Sequence, residues 1–141
     1  LSQKHSLVPL KEELELVHRY LLIQKIRYEE RLLCAFLING QPVSLPDLEN
    51  EIPLEGNLGK ILIPPFTIQP LVENSIKYGL EQFPEECSII IELSADQDHL
   101  LIQVKNNGSI FEASGTLRVQ GPRFRNRSVK YQPENPASVR P

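Results

Sequence analysis

The sequence predicts an α+β fold in which helices cover one face of a mixed sheet. Two segments, about 10–28 and 66–80, place apolar residues at the three- and four-residue intervals of a helix. Between them, Leu32 to Ile38 is an apolar run of strand length. After them, residues 88–107 carry two arms rich in Ile, Leu and Val around a polar turn, the pattern of an antiparallel hairpin.

The first helix opens at Pro9, which suits a first turn because its missing N–H would be unpaired there anyway. Leu10, Leu14, Val17 and Leu21 form one apolar stripe, and Leu16, Tyr20 and Ile23 an adjoining one. Glu12, Glu13 and Glu15 complement the positive end of the helix dipole, while Arg19, Lys25, Arg27 and Arg31 serve its later turns. Two stripes imply two partners, so a coiled-coil or bundle neighbour is expected besides the helix's own domain. The run Leu32–Ile38 reads as a buried strand closed by the turn-prone Asn39-Gly40. Prolines 42, 46 and 53 make residues 41–57 an irregular loop, and Pro64-Pro65 exclude a helix interior after Ile61–Ile63. Helical spacing resumes through Ile68, Leu71, Val72, Ile76 and Leu80, with Pro70 in the first turns and Gly79 near the end. The hairpin pairs Ser88–Leu93 with Leu100–Val104.

At 141 residues, 40% hydrophobic and 23% charged, the chain holds one ordinary globular domain and excludes a large multidomain enzyme. No run approaches the roughly 18–20 apolar residues of a membrane span, and no signal-peptide pattern is present. It begins at Leu1 rather than Met and reads as a piece of a longer chain. Cys34 and Cys87 sit in apolar contexts and read as small buried hydrophobes, and the three histidines lack metal-ligand spacing. The net charge of −3 hides a break near Gly115. Residues 1–114 carry 9 Lys+Arg against 17 Asp+Glu, whereas residues 115–141 carry 6 against 1. That basic tail, with four prolines and no periodicity, is predicted to be disordered.

The segment Gln69-Pro70-Leu71-Val72-Glu73-Asn74-Ser75-Ile76-Lys77-Tyr78-Gly79 is the most informative. Asn74 and Lys77, three residues apart, share a helix face. An amide oxygen is a hard ligand suited to Mg²⁺, and a nearby ammonium suits phosphate. The pair can therefore hold a magnesium nucleotide, or it is simply the solvated edge of an amphipathic helix; spacing leaves both readings open.

The stretch VPLKEELELVHRYLLIQKIRYEERL, followed by IPPFTIQPLVENSIKYGL and then a hairpin ending VKNNG, resembles the LytS/YesM type of bacterial sensor histidine kinase over about residues 7–111. The resemblance implies a partial Bergerat-type (GHKL) layer of helices on a mixed sheet, preceded by one long dimerisation-type helix. Residues 1–31 would end the dimerisation region, 32–114 would be a partial ATP-binding catalytic domain, and 115–141 the tail. By the same resemblance Asn74 ligates Mg²⁺ between the phosphates of ATP, Lys77 contacts phosphate, and Glu73 polarises a water or the acceptor histidine. Tyr78 stands where the family usually has histidine and would lie beside the nucleotide. The family's Asp-x-Gly-x-Gly aligns with Asn106-Asn107-Gly108-Ser109-Ile110, so Asn106 would accept the adenine amino group's hydrogen bond without a charge, with Gly108 beside it. Ile110 replaces a glycine, and the stretch also reads as a plain strand-terminating turn.

The family's acceptor histidine lies upstream in a proline-histidine-phenylalanine context that neither His5 nor His18 has, and its second glycine box is not reproduced by Gly115 and Gly121. The resemblance ends near Glu112, where composition also changes, so the tail reads as a truncated or frame-shifted end rather than a divergent extension. The implied parent is a membrane-anchored two-component sensor with this portion in the cytoplasm, homodimeric through the N-terminal helix and partnered by a response regulator. The alternative is a catalytically inactive dimerisation or binding module with a degenerate nucleotide site. A nucleic-acid role for Arg118, Arg123, Arg125, Arg127 and Lys130, interleaved with Phe124 and Tyr131, is the weakest reading, because short basic tails are commonly just solvated.

Overall fold

A computed structural model describes residues 6–43, 58–117 and 123–130, with only the Arg123 side chain in the last segment. A two-residue strand β1 (Val8–Pro9) leads into helix α1 (Leu10–Tyr28), followed by strands β2 (Leu32–Ile38) and β3 (Gln41–Val43). Strand β4 (Leu62–Ile63) precedes helix α2 (Gln69–Gln82). Strands β5 (Cys87–Ala95), β6 (His99–Lys105), β7 (Ile110–Thr116) and β8 (Arg123–Lys130) complete the order.

Six strands form one sheet in the order β3-β2-β5-β6-β7-β8. The pair β2·β5 is parallel and the other neighbours are antiparallel, so the sheet is mixed as the sequence predicts. A parallel pair needs a long crossover, and α2 lies within it. Strands β1 and β4 form a separate two-stranded ribbon beside the start of α1.

The period of two decides what the sheet buries. Cys87, Ile89, Ile91 and Leu93 on β5, Leu100, Ile102 and Val104 on β6, and Phe111 and Ala113 on β7 all face the helices. Leu71, Val72 and Ile76 of α2 and Leu10, Leu14, Val17 and Leu21 of α1 close the core. Each fully buried apolar side chain of this size contributes about 1.5–3 kcal/mol over leaving it in water, enough for the dozen largest to dominate the fold.

The predicted helices and hairpin are present, with α2 running 69–82 rather than 66–80 because Pro64-Pro65 and a turn at Phe66 delay it. Four expectations need correction. The run 32–38 is half-buried rather than buried, because helices cover only one face: Leu32 and Phe36 point inward while Leu33 is exposed. Asn39-Gly40, both at positive φ, turn the chain back so that residues 41–43 form an edge strand, where Pro42 costs no ladder bond, rather than opening a loop. Cys87 is buried, but Cys34 is only partly so; both are free thiols. The sequence reading places no strand after residue 107, yet β7 spans Ile110–Thr116 and residues 123–130 of the tail pair with it as β8. The remainder of the tail, His5 and residues 44–57 lie outside the described residues.

Candidate functional site

Helix α2 starts with Pro70 in its first turn and buries Leu71, Val72, Ser75, Ile76 and Gly79. This leaves Glu73, Asn74, Lys77 and Tyr78 exposed or half-buried. Gly79 is required by close packing: a Cβ there would sit 2.5 Å from Cys87 Sγ and 3.2 Å from Asn106 Cβ. The helix therefore lies directly on β5 and on the loop that follows β6.

Glu73 and Lys77 line a cleft of about 380 Å³ between α1 and α2, together with Tyr20, Arg27 and Tyr28 of α1. Gln69 Nε2 donates to Glu73 Oε2 at 3.0 Å. The Tyr20 hydroxyl is held above its usual pKa, first by burial and then by the Glu73 charge. Arg27 lies over the Tyr28 ring at 5.3 Å. Asn74 and Tyr78 occupy the next stripe of α2. The Tyr78 ring stacks on Phe111 of β7, with centroids 6.0 Å apart, and Lys77 Nζ lies 5.6 Å from the Tyr78 centroid. Among the described residues, the Asn74 amide makes no hydrogen bond and Lys77 no ion pair. A half-exposed amide oxygen beside an unpaired ammonium fits what magnesium-bound phosphates require: one hard oxygen ligand and a point charge.

Asn106 and Gly108 belong to a different face. Asn106 is 4% exposed, and its Oδ1 accepts from the backbone N–H groups of Gly108 and Ser109, both at 2.7 Å. Its Nδ2 donates to the Ser75 carbonyl of α2 at 2.8 Å. Both acceptor positions of the amide oxygen are thus occupied by the loop's own backbone. A Cβ on Gly108 would meet the Gln82 side chain at 3.0 Å and the Phe83 ring at 3.4 Å, so the loop runs close to the end of α2. Asn107, which the sequence does not single out, accepts from Ser88 N at 2.7 Å and ties the loop to β5. Thus Glu73 and Lys77 meet in one cleft, Asn74 and Tyr78 adjoin it, and Asn106 with Gly108 support α2 from beneath. His18 is buried on α1.

The α1 side of the cleft escapes sequence reasoning. Tyr20 marks the second stripe of α1 and Arg27 its basic end, but nothing local states that these residues face Glu73, about fifty positions later.

The histidine kinase family profile matches residues 1–32. The chain is 33% identical over 108 residues to the sensor histidine kinase YesM of Bacillus subtilis, covering 77% of this chain and 16% of that protein. It is similar to the sensor protein LytS of Oceanobacillus iheyensis, at 33% over 107 residues, covering 76% of this chain and 16% of the relative. The sensor histidine kinase BtsS of Escherichia coli K12 is 28% identical over 112 residues, covering 79% and 17%. The chain belongs to the LytS/YesM type of sensor histidine kinase. It spans about one sixth of the length of these relatives, 16–17%. No helix among the described residues is long and apolar enough to cross a membrane.

Proposed function

We propose that this chain supplies the nucleotide-binding helix and the adjoining dimerisation helix of a two-component sensor kinase. Asn74 ligates Mg²⁺ and Lys77 contacts phosphate of the bound ATP, while Glu73 orients the water or imidazole that approaches from the α1 side. Magnesium would neutralise charge on the phosphates, and the protein groups act by placement and electrostatics, as phosphoryl transfer requires. Tyr78, backed by Phe111, offers an aromatic wall beside the nucleotide. Asn106 and Gly108 act on the adenine side by shaping the loop beneath α2. In the parent protein the γ-phosphoryl group passes to a histidine outside this sequence and then to an aspartate of a response regulator. The N-terminal helix joins two copies, and this portion faces the cytoplasm beneath a membrane anchor.

The observation that carries this reading is the placement of QPLVENSIKYGL on one helix whose apolar residues are buried while, among the described residues, the Asn74 amide makes no hydrogen bond and Lys77 no ion pair. Calorimetric titration with a non-hydrolysable ATP analogue, with and without Mg²⁺, tests it. Magnesium-dependent binding that weakens by about tenfold or more in Asn74→Ala is expected, a loss of about 1.4 kcal/mol or more. Absence of binding by the folded chain would leave the inactive dimerisation module as the better account.

A further inference from the structure

We propose that Glu13 is a positioning residue that fixes the start of α2 to α1, so that any displacement of the first helix is delivered to the helix carrying Glu73, Asn74 and Lys77. Glu13 is a carboxylate in the first turn of α1, yet it is only 3% exposed. Its hydrogen bonds go to another part of the chain rather than to its own helix. Its Oε2 accepts from the backbone N–H of Phe66 at 3.2 Å, and its Oε1 from that of Ile68 at 3.0 Å. Ile68 is the residue that opens α2, and no side chain of α2 caps that end. The group that satisfies the N-terminus of the second helix, and complements its positive dipole end, thus comes from 55 residues earlier.

The geometry around this contact makes it a rigid joint. Leu10 N donates to Ile61 O at 2.7 Å, and Val8 and Pro9 pair with Ile63 and Leu62, so the chain before Pro64 is already fastened to the start of α1. Thr67 Oγ1 donates to Pro64 O at 2.5 Å and closes the turn. Within it Phe66 has φ 62, a left-handed conformation unfavourable for a bulky side chain, although its ring is exposed and gains little from burial. The Glu13 hydrogen bond to Phe66 N holds the backbone there. A charge-assisted pair of bonds to a desolvated carboxylate is stiffer than apolar contact alone.

The consequence for the nucleotide rests on the function proposed above; the joint itself does not. Amide hydrogen exchange and calorimetry with the non-hydrolysable ATP analogue separate the two. In Glu13→Gln, which keeps the side chain's shape but sets an NH₂ against one of the two donors, the amides of Phe66 and Ile68 should exchange at least about tenfold faster while those of β5 and β6 keep their protection. The analogue's Kd should rise roughly fivefold, and adding Phe66→Gly, which removes the positive-φ penalty, should recover part of that loss. In the natural chain the amides of Phe66 and Ile68 should both be protected from exchange, a signature that needs no variant to fold. Unchanged protection at both amides in the variant, loss spread evenly over the sheet, or amides that exchange in the natural chain as freely as those of an unstructured peptide would overturn the joint. If the natural chain binds no analogue, the proposed function fails, and the exchange results still decide whether Glu13 couples the helices.

Discussion

The two halves of α1 are built from the same kinds of residue and have opposite fates. In the first half Leu10, Leu14 and Val17 are 0% exposed, and Glu13 is spent on the turn before α2. In the second half Ile23 is 61% and Ile26 78% exposed, the Arg27 and Arg31 guanidinium groups both lie over the Tyr28 ring, and a cleft separates the helix from α2. Hydropathy alone does not distinguish Leu14 from Ile26. The difference is that the first half is fastened by the β1·β4 ribbon and the Leu10–Ile61 bond, whereas beyond Leu21 the second half is held by Lys25 Nζ donating to Leu32 O at 2.6 Å. One helix can therefore be core at one end and interface at the other.

The contrast breaks most severely at Leu14. Leu14→Ala should cost about 2–5 kcal/mol of unfolding free energy, measured by urea denaturation, because the site is enclosed and cannot collapse freely. A loss below about 1 kcal/mol would mean that the first half is no better anchored than the second.

The thiols sharpen the same comparison with a smaller effect. Burial pushes Cys34 up to about 11, with Lys25 on the second half of α1 pulling the other way; burial, then the neighbouring Cys34, pushes Cys87 up to about 11. A folded-state pKa above the unfolded value keeps the proton on in the native state, so stability should be level below about pH 9 and fall as pH rises toward 11. Disulfide-reagent labelling should reach the partly exposed Cys34 before the buried Cys87. Equal rates would show that α1 protects both thiols alike.

Much of this organisation is legible in the sequence, and the limits have physical causes. Periodicity places α1, α2 and the β5·β6 hairpin because each pattern is local and strong. The motif words around Asn74 and Lys77 locate a helix face for the same reason. Strands β7 and β8 are missed because Ser114, Gly115 and Thr116 carry little apolar signal and β8 is rich in arginine; their pairing comes from the sheet edge rather than from their own composition. Strand β3 is hidden by Pro42, tolerated only at an edge. The resemblance places Asn106 beside the adenine, and what the motif does not state is that its amide oxygen accepts from the Gly108 and Ser109 backbone. Glu13 is the sharpest case. Its position in a first turn reads as ordinary dipole compensation, and only the tertiary fold reveals that the carboxylate serves the other helix.

The smallest effect on stability belongs to the second half of α1, and it says most about what that half is for. Ile23→Ser with Ile26→Ser removes two β-branched residues from an exposed helix surface, where substitutions change stability within about ±0.5 kcal/mol. Serine has a helix propensity close to isoleucine's, so the helix itself should persist. The change should instead appear in association. A stripe of exposed isoleucines on a helix whose other stripe is buried is costly in water unless a second helix covers it. Sedimentation of the natural chain should therefore show concentration-dependent self-association that the double variant loses, with its urea midpoint unmoved. Equal sedimentation of the two proteins would leave the exposed half of α1 without a role in dimerisation, and a large shift in the midpoint would mean that these residues are packed within the chain after all.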